Sequence, residues 1–162
     1  MNQSEEKVKE RVNILSEYCV GRGIDIGCAE YKCKGAIGID IDPGVKPDIV
    51  ASAYKLPFKD EELDFVVSSH CLEHLLDTKA VLKEWDRVLK PRGIMAILVP
   101  DSDLKRGTIL EKTHKVAFTK NNMRQLIGVY LWYDLLACRS PKGDIKHNKN
   151  KSDILCVGQK RK

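Results

Sequence analysis

The sequence lacks long apolar runs, a signal peptide, internal repeats and linker-like segments. No stretch of its 162 residues approaches the roughly 20 apolar residues that a membrane-spanning helix needs. The N-terminus alternates acidic and basic residues, unlike the basic start and apolar core of a signal peptide. We therefore expect a cytoplasmic protein that does not enter the membrane. Its length fits a single domain, residues 1–162, with a real hydrophobic core.

Paired cysteines are also missing. The six cysteines are scattered, and Cys28 and Cys33 form a lone C-x4-C without a second pair, whereas a structural zinc site needs four ligands at matched spacings. The pattern favours buried thiols, and we predict no metal site. The net charge of +5 comes largely from basic segments at 142–151 and 159–162, which favour a solvated tail over a nucleic-acid surface.

Apolar periodicity predicts helices that alternate with buried strands. We expect an N-terminal helix over 4–20, a helix capped by Asp77 or Thr78 and ended by Pro91 and Gly93, and a helix that begins at Thr119. The predicted strands cover 24–27, 36–41, 48–51, 63–68, 94–99, 132–138 and 152–158, with a polar hairpin loop at 144–151 that contains His147.

The first two strand connections are unusually short. About eight residues join the first two strands, and a parallel crossover normally needs a dozen or more. The next connection contains Pro43, Gly44 and Pro47. We therefore predict no full helix in either connection. One face of the early sheet should then be thinly covered, which suggests a homodimer.

A glycine turn follows the first predicted strand. Residues 23–30 read GIDIGCAE, and the second strand ends in GIDID at 38–42. Glycine lets the backbone approach a ligand, and an acid at the end of the next parallel strand can bind two ribose hydroxyls. Asp40 follows Asp25 too closely for the dinucleotide fingerprint, which expects about 20 positions. The pair therefore predicts an adenosine-type ligand other than a nicotinamide dinucleotide.

Four ordered segments resemble class I S-adenosylmethionine-dependent methyltransferases that modify small molecules and sugars. They are DIGCA at 25–29, GIDI at 38–41, DIVASAYKLPFKD at 48–60, and LDFVVSSHCLEHL at 63–75 followed by LKPRG at 89–93. The resemblance covers residues 21–100 and, more loosely, the rest. It implies S-adenosylmethionine as cofactor, S-adenosylhomocysteine as product, and a cofactor-binding half at 21–100 followed by a lid and closing strands at 101–162.

The resemblance also implies an α/β fold of three Rossmann-like layers. Its sheet would have seven mostly parallel strands with the last strand antiparallel, and this short-loop form would have reduced helices after strands 1 and 2. The implied cofactor-binding residues are Asp25, Gly27, Cys28, Ala29, Asp40, Ile41, Ser52, Ala53, Ser69 and His70. The first four would hold the methionine part, the next two the ribose diol and the adenine face, the Ser-Ala pair the adenine edge, and the last two the sulfonium.

Methyl transfer from a sulfonium is an in-line displacement from an activated donor, so positioning and desolvation supply most of the catalysis without a metal. A base helps only when the acceptor is a poor nucleophile. His70 could be that base, a wall of the pocket or a structural residue. His114 lies in the segment 113–118 that relatives use as a lid over the acceptor, or it is a loop histidine in solvent. Glu73 and His74 are expected to brace their turn.

Three functions stay open. The leading hypothesis is a methyltransferase for a small or medium acceptor. An RNA or protein methyltransferase is less favoured, because SSHC at 68–71 replaces the Asn/Asp-Pro-Pro-aromatic tetrapeptide of amino-directed nucleic-acid enzymes. A module that binds a cofactor or partner without turnover is favoured by Ala29 and Tyr31, which replace glycines, and by Ser52, which replaces the usual adenine-binding acid.

Overall fold

The computed structural model describes residues 3–103, 113–139 and 153–162. The predicted polar loop at 144–151, with His147, lies outside these residues. None of the helices in the described ranges is long and apolar enough to span a membrane.

Within the described residues, seven strands form one sheet in the order β3-β2-β1-β4-β5-β7-β6. Their bounds are Gly23–Ile26 for β1, Ile37–Asp40 for β2, Ile49–Val50 for β3, Leu63–Ser69 for β4, Leu89–Pro100 for β5, Asp134–Arg139 for β6 and Asp153–Gln159 for β7. β7 lies between β5 and β6 and runs antiparallel to both, while the pairs among β1 to β5 are parallel. The predicted mostly parallel sheet with an antiparallel last strand is confirmed.

Helices pack on both faces of the sheet. α1 is Gln3–Ser16, α2 is Thr78–Val88, and α3 is Lys120–Arg124, which continues as a π-helical turn over Gln125–Tyr130. The predicted starts of α2 and α3 are confirmed, since the Asp77 carboxylate accepts from the Ala80 N–H at 3.0 Å and Thr119 forms a capping box with Asn122. α1 ends four positions before the predicted residue 20.

The prediction that Pro91 and Gly93 end α2 is wrong. The helix ends at Val88, and Leu89 begins β5 without a loop. Leu63 of β4 pairs with Leu89 and Phe65 pairs with Ile94, so the intervening β5 residues form a bulge. Proline is tolerated in a strand at such a bulge, because the position needs no ladder N–H.

Two hydrophobic clusters lie between the sheet and the helices on its two faces. On one face α1 places Leu15 against Phe65, Val67, Ala96 and Leu98 of the central strands. On the other face α2 and α3 pack against the sheet through Val81, Leu82, Trp85, Val88, Met123 and Ile127, each fully buried. The three-layer arrangement is thus confirmed.

Loops replace helices in the early half of the sheet. No helix lies between β1 and β2, and only a single 3-10 turn, Pro43–Val45, lies between β2 and β3, both of which fall in the described part of the chain. Buried loop residues cover the gaps instead, with Cys33 and Ala36 on the α1 face and Leu56 and Phe58 on the other. The predicted reduction of these helices is confirmed.

Candidate functional site

The predicted cofactor residues meet at one edge of the sheet. Gly27 follows β1, Asp40 ends β2, and Ser69 ends β4, all parallel strands. The carboxyl ends of such strands form the crevice in which α/β proteins bind ligands. The topology therefore brings the glycine turn, the acid and the His70 segment to a common edge.

The glycine turn can be formed only by glycine at position 27. Gly27 has φ +71°, and a Cβ there would lie 2.6 Å from Cys71 Sγ. Its N–H donates to the Ile39 carbonyl of β2 at 2.8 Å. The turn is thus fixed between β2 and the residue that follows His70, where Cys71 leaves no room for a side chain.

Asp40 presents its carboxylate beside this turn. One oxygen accepts from the Ala29 N–H at 3.0 Å and the other from the Asp42 N–H at 3.0 Å. The side chain is half-buried. A carboxylate oxygen has two lone pairs, so each still has acceptor capacity for a hydroxyl. The arrangement fits a ribose diol.

Asp25 lies below the turn, not in it. It is 2% exposed, and its carboxylate accepts from the Cys33 N–H at 2.8 Å. Burial raises the pKa of Asp25 to about 6, although the hydrogen bond from Cys33 opposes this. The buried Cys28 thiol next to the turn has its pKa raised to about 11, chiefly by burial and then by Asp25, so it stays neutral. Asp25 therefore holds the loop after the turn.

The adenine-side residues lie along the β2–β3 edge. Ile41 is 71% exposed, which leaves its side chain available to a flat ring. Ser52 Oγ accepts from the Tyr54 N–H at 3.2 Å, and the Ala53 carbonyl accepts from Trp85 Nε1 at 3.1 Å. The Ser-Ala pair is thus fixed by a tight turn and by α2.

His70 is clamped between two carboxylates. Its Nδ1 lies 3.2 Å from Glu73 Oε1, and its Nε2 lies 3.2 Å from Asp153 Oδ2, which Arg11 Nε also contacts at 3.1 Å. Its backbone has φ +52°, a left-handed conformation that histidine adopts more readily than most residues. Burial alone would lower the pKa of His70, but Asp153 and Glu73 together raise it above the ordinary value. The ring is biased toward the protonated form.

The segment 113–118 is fastened onto the turn that follows His70. The N–H groups of Lys115 and Val116 donate to the Glu73 carbonyl at 2.8 and 3.1 Å. His74 Nδ1 lies 3.0 Å from the Thr113 carbonyl oxygen, and the His74 and His114 rings meet edge to face with centroids 4.9 Å apart. His114 is therefore brought to the same edge as His70.

Two residues at this edge were not assigned a site role from the sequence. Asp153 lies far along the chain, and no local pattern links it to His70. Glu73 was expected only to brace its turn, yet its carboxylate is 1% exposed and faces His70. Its position three residues after His70 is the local signal that could have identified it.

Residues 18–97 match a family model described as a methyltransferase domain. This segment contains the glycine turn, Asp40 and the His70–His74 turn. Residues 18–97 thus form the core of a class I S-adenosylmethionine-dependent methyltransferase domain, a family that implies S-adenosylmethionine as the cofactor.

Two curated relatives support this assignment. An uncharacterized protein of Methanocaldococcus jannaschii is 35% identical over 115 residues, which is 62% of this chain and 56% of that protein. The norajmaline N-methyltransferase of Rauvolfia serpentina is 32% identical over 91 residues, which is 54% of this chain and 30% of that enzyme. The chain thus spans about half, or less, of the length of these relatives.

Solved structures share the fold at low identity. A Haloferax volcanii methyltransferase in complex with the Trm112 methyltransferase activator has a TM-score of 0.76 at 14% identity, covering 98% of this chain and 93% of that one. A SAM-dependent methyltransferase of Archaeoglobus fulgidus has a TM-score of 0.72 at 18% identity, covering 96% and 94%.

Proposed function

We propose that this protein transfers a methyl group from S-adenosylmethionine to a small or medium acceptor. The observation that carries the proposal is the Asp40 carboxylate, which two backbone N–H groups hold beside the Gly27 turn at the edge of the sheet. A half-buried acid with spare lone pairs fits the vicinal hydroxyls of an adenosine moiety. The relative named as an N-methyltransferase supports methyl transfer as the reaction.

Each of the other proposed cofactor-binding residues would contact a different part of the cofactor. The cofactor supplies an activated methyl group on its sulfonium sulfur. The backbone at Gly27, Cys28 and Ala29 would line the methionine part, with Asp25 holding the turn from below. The ribose and adenine would be bordered by Asp40, Ile41, Ser52 and Ala53, and the sulfonium end by Ser69 and His70.

On the acceptor side we assign His70 and His114 different roles. Both ring nitrogens of His70 face carboxylates at 3.2 Å, so neither is directed at an acceptor whose proton it could take. We propose that it shapes the wall beside the sulfonium. His114 is half-buried on the segment fastened over Glu73, which suits contact with the acceptor.

Calorimetry with S-adenosylhomocysteine tests the cofactor site. Asp40→Ala should weaken binding tenfold or more, because each hydrogen bond to a charged acceptor contributes about 1.5–3 kcal/mol. Asp40→Asn keeps one acceptor oxygen at the same place and should lose less. Asp134→Ala is the matched control, since Asp134 is exposed on the far edge strand and pairs only with Arg161 in the described residues. Failure of the folded wild-type protein to bind, or unchanged affinity in Asp40→Ala, would overturn the proposal.

Two further measurements separate the alternatives. Cofactor binding without methyl transfer to any of a panel of small acceptors and RNA would indicate a module without turnover. An RNA complex that weakens steeply with salt would favour the nucleic-acid enzyme. A homodimer remains a prediction that sedimentation can test.

A further inference from the structure

We propose that Glu73, His74 and His114 form a binding site for a divalent transition-metal ion at the acceptor side of the sheet edge. A ligand atom from each of the three residues can be chosen so that all lie within 4.8 Å of one another. Two imidazoles with one carboxylate are a donor set that zinc, manganese and ferrous ions bind. The cysteine spacing predicted no metal site, and His114 lies 40 positions after His74, so no local pattern links the three residues.

Glu73 supplies the first argument. Its carboxylate is 1% exposed, and neither oxygen accepts a hydrogen bond from the part of the chain that the structure describes. One oxygen lies 3.2 Å from His70 Nδ1, which leaves the second oxygen without a charged contact there. The His70 ring faces only the first oxygen, and a buried carboxylate oxygen without a partner is costly. A metal ion at the second oxygen would supply that partner.

His74 supplies the second argument through its tautomer. Its Nδ1 lies 3.0 Å from the Thr113 carbonyl oxygen. A carbonyl oxygen only accepts hydrogen bonds, so Nδ1 must carry the proton, and Nε2 keeps its lone pair. Metal-binding histidines usually have the other ring nitrogen held by such an acceptor, which fixes both the tautomer and the ring orientation.

The backbone holds the third ligand in place before any ion binds. Hydrogen bonds from Lys115 and Val116, which directly follow His114, to the Glu73 carbonyl fix its segment above the turn. Two ligand atoms on one ion can be at most about 4.2 Å apart, given bonds of about 2.1 Å. Binding therefore requires the widest separation, 4.8 Å at most, to close by about half an ångström, which side-chain rotation can supply.

An ion held by three protein ligands keeps coordination positions for water or for an oxygen of the acceptor. That consequence rests on the proposed function, because it needs an acceptor beside the sulfonium. The metal site itself does not, and its test uses no cofactor.

The probe is Mn²⁺, which prefers oxygen and nitrogen ligands and so avoids the free thiols of the chain. We expect titration of metal-free protein to remove the electron paramagnetic resonance signal of free Mn²⁺ with one ion per chain. His74→Ala and Glu73→Gln should each weaken binding at least tenfold. His74 is exposed, so its variant should fold even if Glu73→Gln does not. Glu17→Gln makes the same chemical change on an exposed part of the chain and should bind as the wild type does.

Absence of stoichiometric Mn²⁺ binding, or equal binding by wild type, His74→Ala and Glu17→Gln, would overturn the metal site. Calorimetry with S-adenosylhomocysteine on the same metal-free samples reports separately on the cofactor site. Metal binding without cofactor binding would leave this inference standing and defeat the proposed function. Cofactor binding without metal binding would do the reverse.

Discussion

At the scale of single residues, the buried Asp25 makes the stability of the protein depend on pH. Burial raises its pKa to about 6 in the folded state, against about 4 in an unfolded chain. The folded state therefore binds this proton more tightly, and stability falls as pH rises from about 4 to about 6. The buried carboxylate nevertheless has a structural role, because it accepts a hydrogen bond from the Cys33 N–H and holds the loop after the glycine turn.

Asp25→Asn removes the titrating group and keeps an oxygen for the Cys33 N–H. We expect the stability of the variant relative to wild type to increase by about 2–3 kcal/mol between pH 4 and pH 7. Urea unfolding at several pH values measures the difference. If the free energies of unfolding of the variant and the wild type change equally with pH across this range, the raised pKa of Asp25 is contradicted.

The pKa of His70 should change in opposite directions when Asp153 or Arg11 is replaced. Asp153→Asn removes a carboxylate that raises the His70 pKa, whereas Arg11→Met removes a cation that lowers it. We expect the His70 pKa to fall in the first variant and to rise in the second, as measured by NMR titration of the ring. With the raised pKa, the stability contributed by these contacts is complete below about pH 6.5 and is lost as pH rises through the folded-state value. Shifts of the same sign in both variants would rule out this charge arrangement.

At the scale of elements, the two helix starts on the α2–α3 face differ in a testable way. Thr119 Oγ1 accepts from the Asn122 N–H at 3.2 Å, and the Asn122 side chain accepts from the Thr119 N–H at 2.8 Å. Thr119→Ala should lower the free energy of unfolding by about 1 kcal/mol. The buried Thr78 hydroxyl, in contrast, has no hydrogen-bond partner among the described residues, so Thr78→Val should leave stability equal or higher. Chemical denaturation of both variants measures the change in the free energy of unfolding. An equal decrease in Thr119→Ala and Thr78→Val would contradict the capping argument.

Elements were predicted well wherever the signal was local. The apolar run at 63–68 became β4, Asp77 and Thr119 became helix caps, and the short connection around Pro43 lacks a helix. The prediction that Pro91 ends the helix was wrong, because Pro91 lies in a bulge of β5 that forms where β5 pairs with β4.

Only the cofactor side of the site was predicted, because only its residues give a local sequence signal. Gly27 and Asp40 are close in sequence and follow a turn chemistry that can be read from residue types. The contacts of His70 with Asp153, and of Glu73 with the segment around His114, join residues far apart in the chain. Tertiary packing alone brings them together.

At the scale of the whole molecule, cofactor binding should raise the melting temperature. A ligand at 100 times its dissociation constant adds about 2.7 kcal/mol to the stability of the folded state. For a chain of this size, each kcal/mol corresponds to about 2–4 °C, so we expect S-adenosylhomocysteine to raise the melting temperature by about 5–10 °C. Asp40→Asn should show a smaller rise at the same concentration in differential scanning calorimetry. An identical rise in both proteins would place the ligand elsewhere.

The position of β7 affects how the chain acquires its fold during synthesis. β7 leaves the ribosome after the other six strands of the described residues, yet it lies between β5 and β6 and carries the Asp153 that contacts His70. Until residues 153–159 emerge, β5 and β6 have no common partner, and the nascent chain exposes unpaired strand edges that chaperones must shield. A chain that ends before residue 153 lacks the strand that joins β6 to the rest of the sheet. Such a chain is a substrate for proteases and not an inactive copy of the fold.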